Sequence, residues 1–390
     1  MRKDTCKVLT VFGTRPEAIK MTPLVWALKQ DPQINCRVAV TAQHREMLDQ
    51  VMGLFQIIPD YDLDIMQKGQ TPFEITSRAL LGLRDVLLRE RPDLVLVHGD
   101  TSTTFAGALA AYYLQIPVGH VEAGLRSGNK YSPFPEEMNR RLTGTLCDLN
   151  FAPTQKAKEN LLREGHDPAT IYVTGNTVID TLLRIVDKEY KFSDPVLRKI
   201  DFASQRVLVL TTHRRENLGE PMRQIYAALR DIVNEFPDVV VVFPVHKNPA
   251  VRRVAEKELG DIEKIKLIEP LDYQPFANLM DRAYLILTDS GGLQEEAPSL
   301  GKPVLVLREN TERPEAIEAG TVELVGLERE KIYQTTKKLL TNQDAYNLMA
   351  KAVNPYGDGK ASRRIIEALH HFWGWSKERP QPFVPREKED

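Results

Sequence analysis

The sequence has few cysteines, no long apolar run and almost no net charge, and each of these absences excludes a class of protein. Three cysteines occur among 390 residues, and Cys6, Cys36 and Cys147 are too scattered for a disulfide framework or a zinc site. No segment approaches the ~18 apolar residues of a membrane-spanning helix, and the apolar run at residues 8–12 is too short for a signal peptide. We therefore expect a cytoplasmic protein.

Charge and motifs exclude further classes. Lysine and arginine total 52 against 54 aspartate and glutamate residues, which leaves a net charge of −2. Such a chain has no basic field for nucleic acid or anionic lipid, so it must bind any anionic ligand through local charges. No dinucleotide-binding G-x-G-x-x-G follows a predicted strand and no G-x-x-x-x-G-K-[ST] occurs, so neither motif supports NAD or ATP. Because no metal-ligand spacing such as H-E-x-x-H is found either, we assign no metal and no cofactor.

What the sequence does contain is a repeated alternation of short apolar runs with longer segments of helical period. This alternation occurs in both halves of the chain and predicts βαβ units around a parallel sheet. The runs are apolar at nearly every position, which fits strands buried on both faces. We predict an α/β fold with two Rossmann-like, doubly wound domains, at residues 1–180 and 181–360. Residues 377–390 combine prolines and charges with few apolar anchors, so we expect a flexible tail there.

Polar and glycine-rich segments follow several of the predicted strands. In an open parallel sheet, ligands bind beyond the carboxyl ends of the strands, so these segments are candidate sites. Arg15 and Lys20 come after the first strand, near the start of a helix whose dipole favours anions. Residues 290–292 follow a later strand and expose backbone N–H groups that suit a diphosphate, although a helix cap is the alternative. Glu296, further along, is suited to the hydroxyls of a ribose.

The acidic residues and the histidine of these segments each allow two interpretations. Asp100 is explained equally well as a helix cap and as a functional acid. Glu122 has no cap position to explain it, which favours function over a solvated loop carboxylate. His213 is flanked by two arginines and is more typical of an anion site than of a surface histidine. Glu136 follows a loop fixed by two prolines and is favoured as functional, whereas Glu137 is equally well explained as a partner of the helix dipole.

Six segments carry a resemblance to a known family. They occur in this order: Gly13-Thr-Arg-Pro-Glu-Ala-Ile-Lys20, His98-Gly-Asp100, His120-Val-Glu122-Ala-Gly-Leu-Arg126, Pro133-Phe-Pro-Glu136-Glu-Met-Asn-Arg140, His213-Arg-Arg-Glu-Asn217 and Asp289-Ser-Gly-Gly-Leu-Gln-Glu-Glu296. Together they closely resemble the non-hydrolysing UDP-N-acetylglucosamine 2-epimerases of bacteria, from about residue 7 to about residue 373. The resemblance implies the architecture of the B-type glycosyltransferases, in which two domains face each other across a cleft. It also implies a homodimer and a C-terminal helix at about 361–376 that completes the first domain.

The family's residue roles transfer to the matching positions of this sequence. The catalytic group so implied comprises Asp100, Glu122, Glu136 and His213. The implied contacts to the UDP-sugar are Arg15, Lys20, Phe276, Ser290, Gly291, Gly292, Glu296 and Arg313. A second UDP-N-acetylglucosamine, bound as an activator, is implied to contact Gln43, His44, Gln70 and His246. Two positions depart from the family's activator pattern, because Glu46 stands where the family has an amide and Gly69 where it has a cation.

The implied reaction is the reversible epimerisation of UDP-N-acetylglucosamine to UDP-N-acetylmannosamine at C2, which supplies mannosamine sugars for cell-surface polysaccharides. The hydrogen on C2 is not next to a carbonyl, so departure of UDP from C1 must first make it acidic. Loss of the proton then gives a 2-acetamidoglucal without a redox cofactor. Asp100, Glu122 and Glu136 provide acid and base, and the sequence leaves open which is which. Three alternatives also remain: a B-type glycosyltransferase, a hydrolysing epimerase and a nucleotide-sugar sensor without catalysis.

Overall fold

The apolar runs form parallel strands in a computed structural model that describes residues 3–43, 45–214 and 217–386. The strands are β1 Cys6–Phe12, β2 Ile34–Val40, β3 Tyr61–Asp62, β4 Leu94–His98, β5 Val118–Val121, β6 Leu149–Ala152, β7 Ile171–Val173, β8 Arg206–Thr211, β9 Val239–Pro244, β10 Ile265–Ile268, β11 Leu285–Thr288, β12 Val304–Val306 and β13 Val322–Leu324. The sequence did not predict β3, because two residues, one of them charged, leave no apolar run to detect.

Helices alternate with these strands. They are α1 Arg15–Gln30, α2 Arg45–Leu54, α3 Pro72–Glu90, α4 Ser102–Tyr113, α5 Glu136–Leu146, α6 Gln155–Arg163, α7 Thr177–Ile185, α8 Glu220–Glu235, α9 Pro249–Leu259, α10 Tyr273–Arg282, α11 Leu293–Glu296, α12 Pro314–Glu318, α13 Arg329–Thr341, α14 Gln343–Ala350 and α15 Ala361–Phe372. The chain divides into two compact units. Unit 1 consists of the described residues up to Thr181 together with Tyr356–Val384, and unit 2 of Leu182–Pro355.

Each unit is built on one sheet in which the strand order reverses. The described strands of unit 1 form a seven-stranded sheet in the order β3-β2-β1-β4-β5-β6-β7, and those of unit 2 a six-stranded sheet in the order β10-β9-β8-β11-β12-β13. All pairings are parallel. The order reverses at β1/β4 in unit 1 and at β8/β11 in unit 2, and such reversals open the crevices where doubly wound sheets bind ligands. The predicted α/β fold with two doubly wound domains is confirmed.

The cores lie between the sheets and the helices that cover them. In unit 1, buried side chains of β1 and β4 such as Leu9 and Val97 pack against Leu83 of α3 and Ala108 of α4. In unit 2, the side chains of β8, β9 and β11 pack with those of α8 in the same way. Burial on both faces explains why the strands read as continuous apolar runs.

The segment after α15 differs from the expected flexible tail. Phe383 is buried, and its backbone N–H donates to the Val173 carbonyl oxygen of β7 at 2.8 Å. Arg379 lies over the ring of Tyr172 at 4.3 Å from the ring centroid. Arg379 and Phe383, separated by two prolines and a glutamine, thus attach this segment to the edge strand of unit 1. Residues 387–390 lie outside the described part of the chain.

Within the described ranges, no helix is both long enough and apolar enough to cross a membrane.

Candidate active site

The candidate residues of unit 1 lie where its strand order reverses. Arg15 is the first residue of α1, just beyond β1, and is partly exposed. Asp100 follows β4 and Glu122 follows β5, two strands that pair with each other. A Cβ atom built on Gly99 would lie 3.8 Å from the Glu122 carboxylate. The segments that carry Asp100 and Glu122 are therefore neighbours at the carboxyl edge of the sheet.

Glu122 is held by three side chains from three different elements. Its carboxylate pairs with the ammonium group of Lys20, accepts a hydrogen bond of 2.7 Å from Nδ2 of Asn176, and lies 3.9 Å from Nε2 of His98. Burial by itself would raise the pKa of Glu122, but the charge of Lys20 outweighs burial and holds the pKa below its ordinary value. The backbone at Glu122 is left-handed, with φ of 64°. This conformation costs free energy in a residue with a side chain, and residues that adopt it cluster at functional sites.

Two histidines beneath these loops are buried without a net charge. Burial lowers the pKa of His98 and of His120 to about 4 in each case. Nε2 of His120 lies 2.6 Å from the carbonyl oxygen of Gly99, the residue before Asp100. These imidazoles are neutral at physiological pH, so the positive charge next to Glu122 comes from Lys20.

Helix α5 connects Asp100 to the acidic pair at residues 136 and 137. Arg140 pairs with the Asp100 carboxylate, and Nδ2 of Asn139 donates to the Asp100 carbonyl oxygen at 3.0 Å. Glu136 opens this helix and is half-buried. The loop that the sequence indicated as fixed by prolines therefore delivers Glu136 on the same helix that holds Asp100.

Glu137, in contrast, organises the loop. Its carboxylate is completely buried and accepts hydrogen bonds from the backbone N–H groups of Ser127 and Gly128 at 2.9 and 3.3 Å. It also lies 3.2 Å from Nη1 of Arg140. These donors occupy both of its oxygens. Glu137 therefore helps to hold Arg140, the residue that pairs with Asp100.

In unit 2, the candidate residues again cluster at the reversal of strand order. His213 follows β8, His246 follows β9 and Asp289 follows β11, and β8 lies between the other two strands. The imidazole rings of His213 and His246 stack with centroids 5.8 Å apart. Burial and the neighbouring His213 both lower the pKa of His246. The sequence separates these three residues by up to 76 positions, and the sheet brings them together.

The glycine-rich segment at residues 290–292 lies beside an arginine and two glutamates. A Cβ atom on Gly291 would lie 2.8 Å from Oε1 of Glu312 and 2.9 Å from Nη1 of Arg313. A larger residue would displace the ends of these two side chains, so glycine leaves room for them beside the loop. Nε of Arg313 donates to Oε1 of the buried Glu295 at 2.7 Å, which fixes the direction of the guanidinium group.

The two remaining predicted contacts of unit 2 also lie near this segment. A Cβ atom on Gly292 would lie 3.5 Å from Oε1 of Glu296. The other carboxylate oxygen of Glu296 accepts a hydrogen bond from the hydroxyl of Tyr273 at 3.0 Å. Tyr273 opens α10, the helix that also carries the half-buried Phe276. Unit 2 thus groups Glu296 and Arg313 around one glycine-rich loop, and α10 carries Phe276 on the helix whose Tyr273 contacts Glu296.

Of the predicted activator contacts, two lie together in unit 1. Nε2 of Gln70 donates to the carbonyl oxygen of Gln43 at 3.4 Å. Glu46 is exposed in the first turn of α2. The adjacent Arg45 pairs with Asp62, so its charge is already neutralised. His44 lies outside the described residues.

Sequence reasoning missed several functional neighbours. Asn176 belongs to this group, because a single asparagine in a loop gives no signal, and so does Asn217, which ended a quoted segment but was assigned no role. Asp289 was part of a quoted segment, but the sequence assigned it no role. In the described part of the chain, no three His, Cys, Asp or Glu side chains are grouped to hold a metal ion.

The fold defines a class: an α/β protein of two doubly wound units, with candidate site residues at the reversal of strand order in each. The sequence profile of the family described as UDP-N-acetylglucosamine 2-epimerase matches residues 26–370. The chain is 59% identical to the UDP-N-acetylglucosamine 2-epimerase of Bacillus subtilis (strain 168) over 378 residues, which cover 97% of this chain and 98% of that protein. It is 54% identical to the enzyme of the same name from Escherichia coli (strain K12), with 93% and 98% covered.

A solved structure agrees with these sequence relatives. The crystal structure of UDP-GlcNAc 2-epimerase from Neisseria meningitidis, bound to UDP-GlcNAc, superposes with a TM-score of 0.84 at 50% identity, and the match covers 93% of this chain and 99% of that one. The chain belongs to the UDP-N-acetylglucosamine 2-epimerase family. The predicted family resemblance is confirmed.

Proposed function

We propose that this protein interconverts UDP-N-acetylglucosamine and UDP-N-acetylmannosamine without hydrolysing them. The observation that carries the proposal is the buried, ionised Glu122 beside Asp100 in a chain of this family. A relative of the same fold was crystallised with UDP-GlcNAc, which supports this nucleotide sugar as the substrate. The reaction supplies mannosamine sugars for cell-surface polysaccharide, and we place it in the cytoplasm, where the three free cysteines stay reduced.

In the first half-reaction, the bond between C1 and the diphosphate oxygen breaks and the electron pair leaves with UDP. We assign Arg15, His213, Arg313 and the backbone N–H groups of residues 290–292 to the negative charge that develops on the diphosphate. Phe276 and Glu296 are assigned to the uridine and its ribose. The C2 proton then passes to a carboxylate, and the C1–C2 alkene of 2-acetamidoglucal forms.

The three acids differ in burial, and this difference separates their roles. Glu122 is kept ionised by Lys20, and a carboxylate with a lowered pKa is a weak base but a strong stabiliser of positive charge. We therefore assign Glu122 to the oxocarbenium-like centre at C1. The side chain of Asp100 is 28% exposed against 10% for Glu122, and we assign to Asp100 and Glu136 the removal of the proton from one face of C2 and its return to the other. Re-addition of UDP to C1 completes the epimerisation.

Incubation of the protein with UDP-N-acetylglucosamine alone in heavy water, followed by NMR, tests this proposal. We expect UDP-N-acetylmannosamine with deuterium at C2. Free N-acetylmannosamine with UDP would instead identify a hydrolysing epimerase, and retained protium at C2 would point to a redox or ring-opening route. If no product forms, two alternatives remain. The protein is then either a nucleotide-sugar sensor or a glycosyltransferase that needs an acceptor.

Amide substitutions test the assigned acids. Asp100→Asn, Glu122→Gln and Glu136→Gln should each reduce turnover by about 100-fold or more while UDP binding survives. Glu90→Gln is the matched control, because Glu90 pairs with Lys7 at the opposite edge of the sheet and should leave turnover unchanged. Equal loss of UDP affinity in all three variants would show that these acids have a structural role.

We also propose that a second UDP-N-acetylglucosamine activates the enzyme, at the residues Gln43, His44, Gln70 and His246. Affinity at this site is expected to be weak, since Glu46 adds a negative charge and Gly69 adds no positive one. In a reaction started from UDP-N-acetylmannosamine, a lag that a trace of UDP-N-acetylglucosamine removes would support the activator, and a linear time course would reject it.

The homodimer of the family is proposed for this chain too. Helix α3 exposes Phe73, Leu81 and Leu88 on one face, and Phe73 is 87% exposed. Such a face is typical of an interface with a second copy. Sedimentation equilibrium of the protein and of Leu81→Asp should give a dimer and a monomer, respectively, and a monomeric unaltered chain would reject the proposal.

A further inference from the structure

Asp289 is a buried carboxylate that the mechanism above does not use. We infer that it is a positioning residue, which holds a proton on Nδ1 of His213 so that Nε2 faces the substrate and, once it is protonated too, donates to the diphosphate. This inference rests on the proposed function, in which His213 acts on the diphosphate. The network joins His213 and Asn217 from one segment of the sequence with Asp289 from another.

One oxygen of Asp289 is fixed by three donors. Oδ2 accepts hydrogen bonds from the backbone N–H groups of His213 and Arg214, at 2.9 and 3.0 Å. It also accepts one from Nδ2 of Asn217 at 3.0 Å. The residue is completely buried, so water does not compete for these donors. Backbone and asparagine together determine the orientation of the carboxylate.

The other oxygen faces the imidazole. Oδ1 of Asp289 lies 2.9 Å from Nδ1 of His213. Burial would raise the pKa of Asp289, but His213 and the backbone N–H groups outweigh it and hold the pKa below its ordinary value. The carboxylate is therefore ionised and can only accept at this contact. A ring nitrogen beside an obligate acceptor must carry the proton, which assigns the hydrogen to Nδ1.

The charged groups around His213 are consistent with this assignment. Nε of Arg214 donates to the carbonyl oxygen of Asp289 at 2.8 Å, and the guanidinium group is therefore held on the Asp289 side. His246 stacks on the ring, and its pKa is lowered by burial, by His213 and by Arg252, while Asp289 opposes the shift. Among the described residues that face the ring, Asp289 is the acid at hydrogen-bond distance.

The geometry makes Asp289→Asn an informative substitution. Three donors surround Oδ2, so the amide oxygen of the asparagine must occupy that position. The amide nitrogen, a donor, is then forced to face Nδ1 of His213. Nδ1 must become the acceptor, and the ring proton moves to Nε2. The substitution changes the tautomer while it keeps the size and the backbone contacts of the residue.

The test uses the full chain labelled with ¹⁵N-histidine, at a pH where the imidazole is neutral. We expect the NMR signals of His213 to report a proton on Nδ1 in the unaltered protein and on Nε2 in Asp289→Asn. The kcat should fall by about 100-fold or more, because the amide nitrogen of the variant opposes a proton on Nδ1 and so prevents the doubly protonated ring that stabilises the diphosphate. Affinity for UDP should change much less, because the backbone donors of the nucleotide site remain.

Asp238→Asn is the matched control. Asp238 also accepts from an arginine, Arg206, in the same unit, but it precedes β9 and has no contact with His213. This variant should keep both the His213 tautomer and kcat. Asp289→Asn with unchanged kcat and tautomer would overturn the inference.

The unaltered protein provides a result that does not depend on the stability of a variant. A proton on Nε2 of its neutral His213 would overturn the inference even if Asp289→Asn failed to fold. A proton on Nδ1 in a chain that fails to epimerise UDP-N-acetylglucosamine would reject the proposed function and leave the positioning role of Asp289 supported. The two failures are therefore distinguishable.

Discussion

Glu122 and Lys20 show how one residue determines the chemistry of another. They are 102 positions apart, and the ion pair forms because α1 and the loop after β5 meet at the carboxyl edge of one sheet. In the sequence, the charge of Lys20 near a helix start indicated a candidate anion site, and the family resemblance implied a contact to the substrate. Its pairing with a carboxylate depends on the fold, so no local pattern reveals it.

Lys20→Met tests this dependence. The methionine keeps the length of the side chain but removes the charge, so burial is opposed mainly by the hydrogen bond from Asn176 and the pKa of Glu122 rises. In the unaltered protein, Glu122 loses its charge only as the pH falls through a lowered pKa. We therefore expect the acid limb of the kcat/KM profile to move to higher pH in the variant.

Lys29→Met, on an exposed position of the same helix, is the control and should leave the profile unchanged. If Lys20 acts only on the nucleotide, KM should rise and the acid limb should stay where it is. That outcome would contradict the role assigned to the ion pair.

At the scale of elements, two helices of unit 1 begin with the same capping motif, but one motif is buried and the other is exposed. Both α1 and α3 start after a threonine and carry a glutamate three residues later, a capping box in each case. Glu74 bonds only within its own helix start and is about half exposed. Glu17 is buried and also accepts from the hydroxyl groups of Thr101 and Thr104, at the start of α4.

We predict that Glu17→Ala and Glu74→Ala lower the free energy of unfolding by different amounts. Loss of a surface capping partner should cost about 1 kcal/mol. Glu17→Ala should cost about 2–4 kcal/mol, because buried donors from two helix starts lose their acceptor. Equilibrium urea unfolding of the two variants measures the difference, and equal costs would mean that the bridge to α4 adds no stability.

The sequence predicted the helix start near Arg15, but it could not separate the two glutamates. Alternation of apolar and helical segments is local, so it predicted the βαβ units and the parallel sheets in both halves. Burial of one N-terminal turn and exposure of the other depend on what packs above them. Here that is α4, which begins 85 residues after Glu17.

At the scale of the whole molecule, the chain returns to its first unit near the end. Residues Tyr356–Val384 belong to unit 1, and Asp180 of α7 accepts hydrogen bonds from the backbone N–H groups of Ala361 and Ser362 at the start of α15. Unit 1 therefore depends on residues that the chain supplies after unit 2.

Phe383→Ala and Val384→Ala test this dependence. Phe383 is buried and Val384 is 54% exposed, although they are adjacent. Removal of the buried ring should lower the free energy of unfolding by about 3 kcal/mol, near the lower end for core phenylalanines. Val384→Ala should change it by less than about 0.5 kcal/mol. A chemical denaturation curve for each variant, followed by a probe in unit 1, checks the prediction, and equal stability of the two would mean that the end of the chain does not support unit 1.

By itself, the sequence determined the two doubly wound sheets and the family, because apolar periodicity and the order of short motifs are properties of neighbouring residues. Tertiary structure decided which groups act on each other. Glu122 meets Lys20, Asp289 meets His213 and Phe383 meets β7, and each partner is distant along the chain. The physical reason is that burial and pairing set the charge of an acid and the proton position of an imidazole, and both arise only when the strands are side by side.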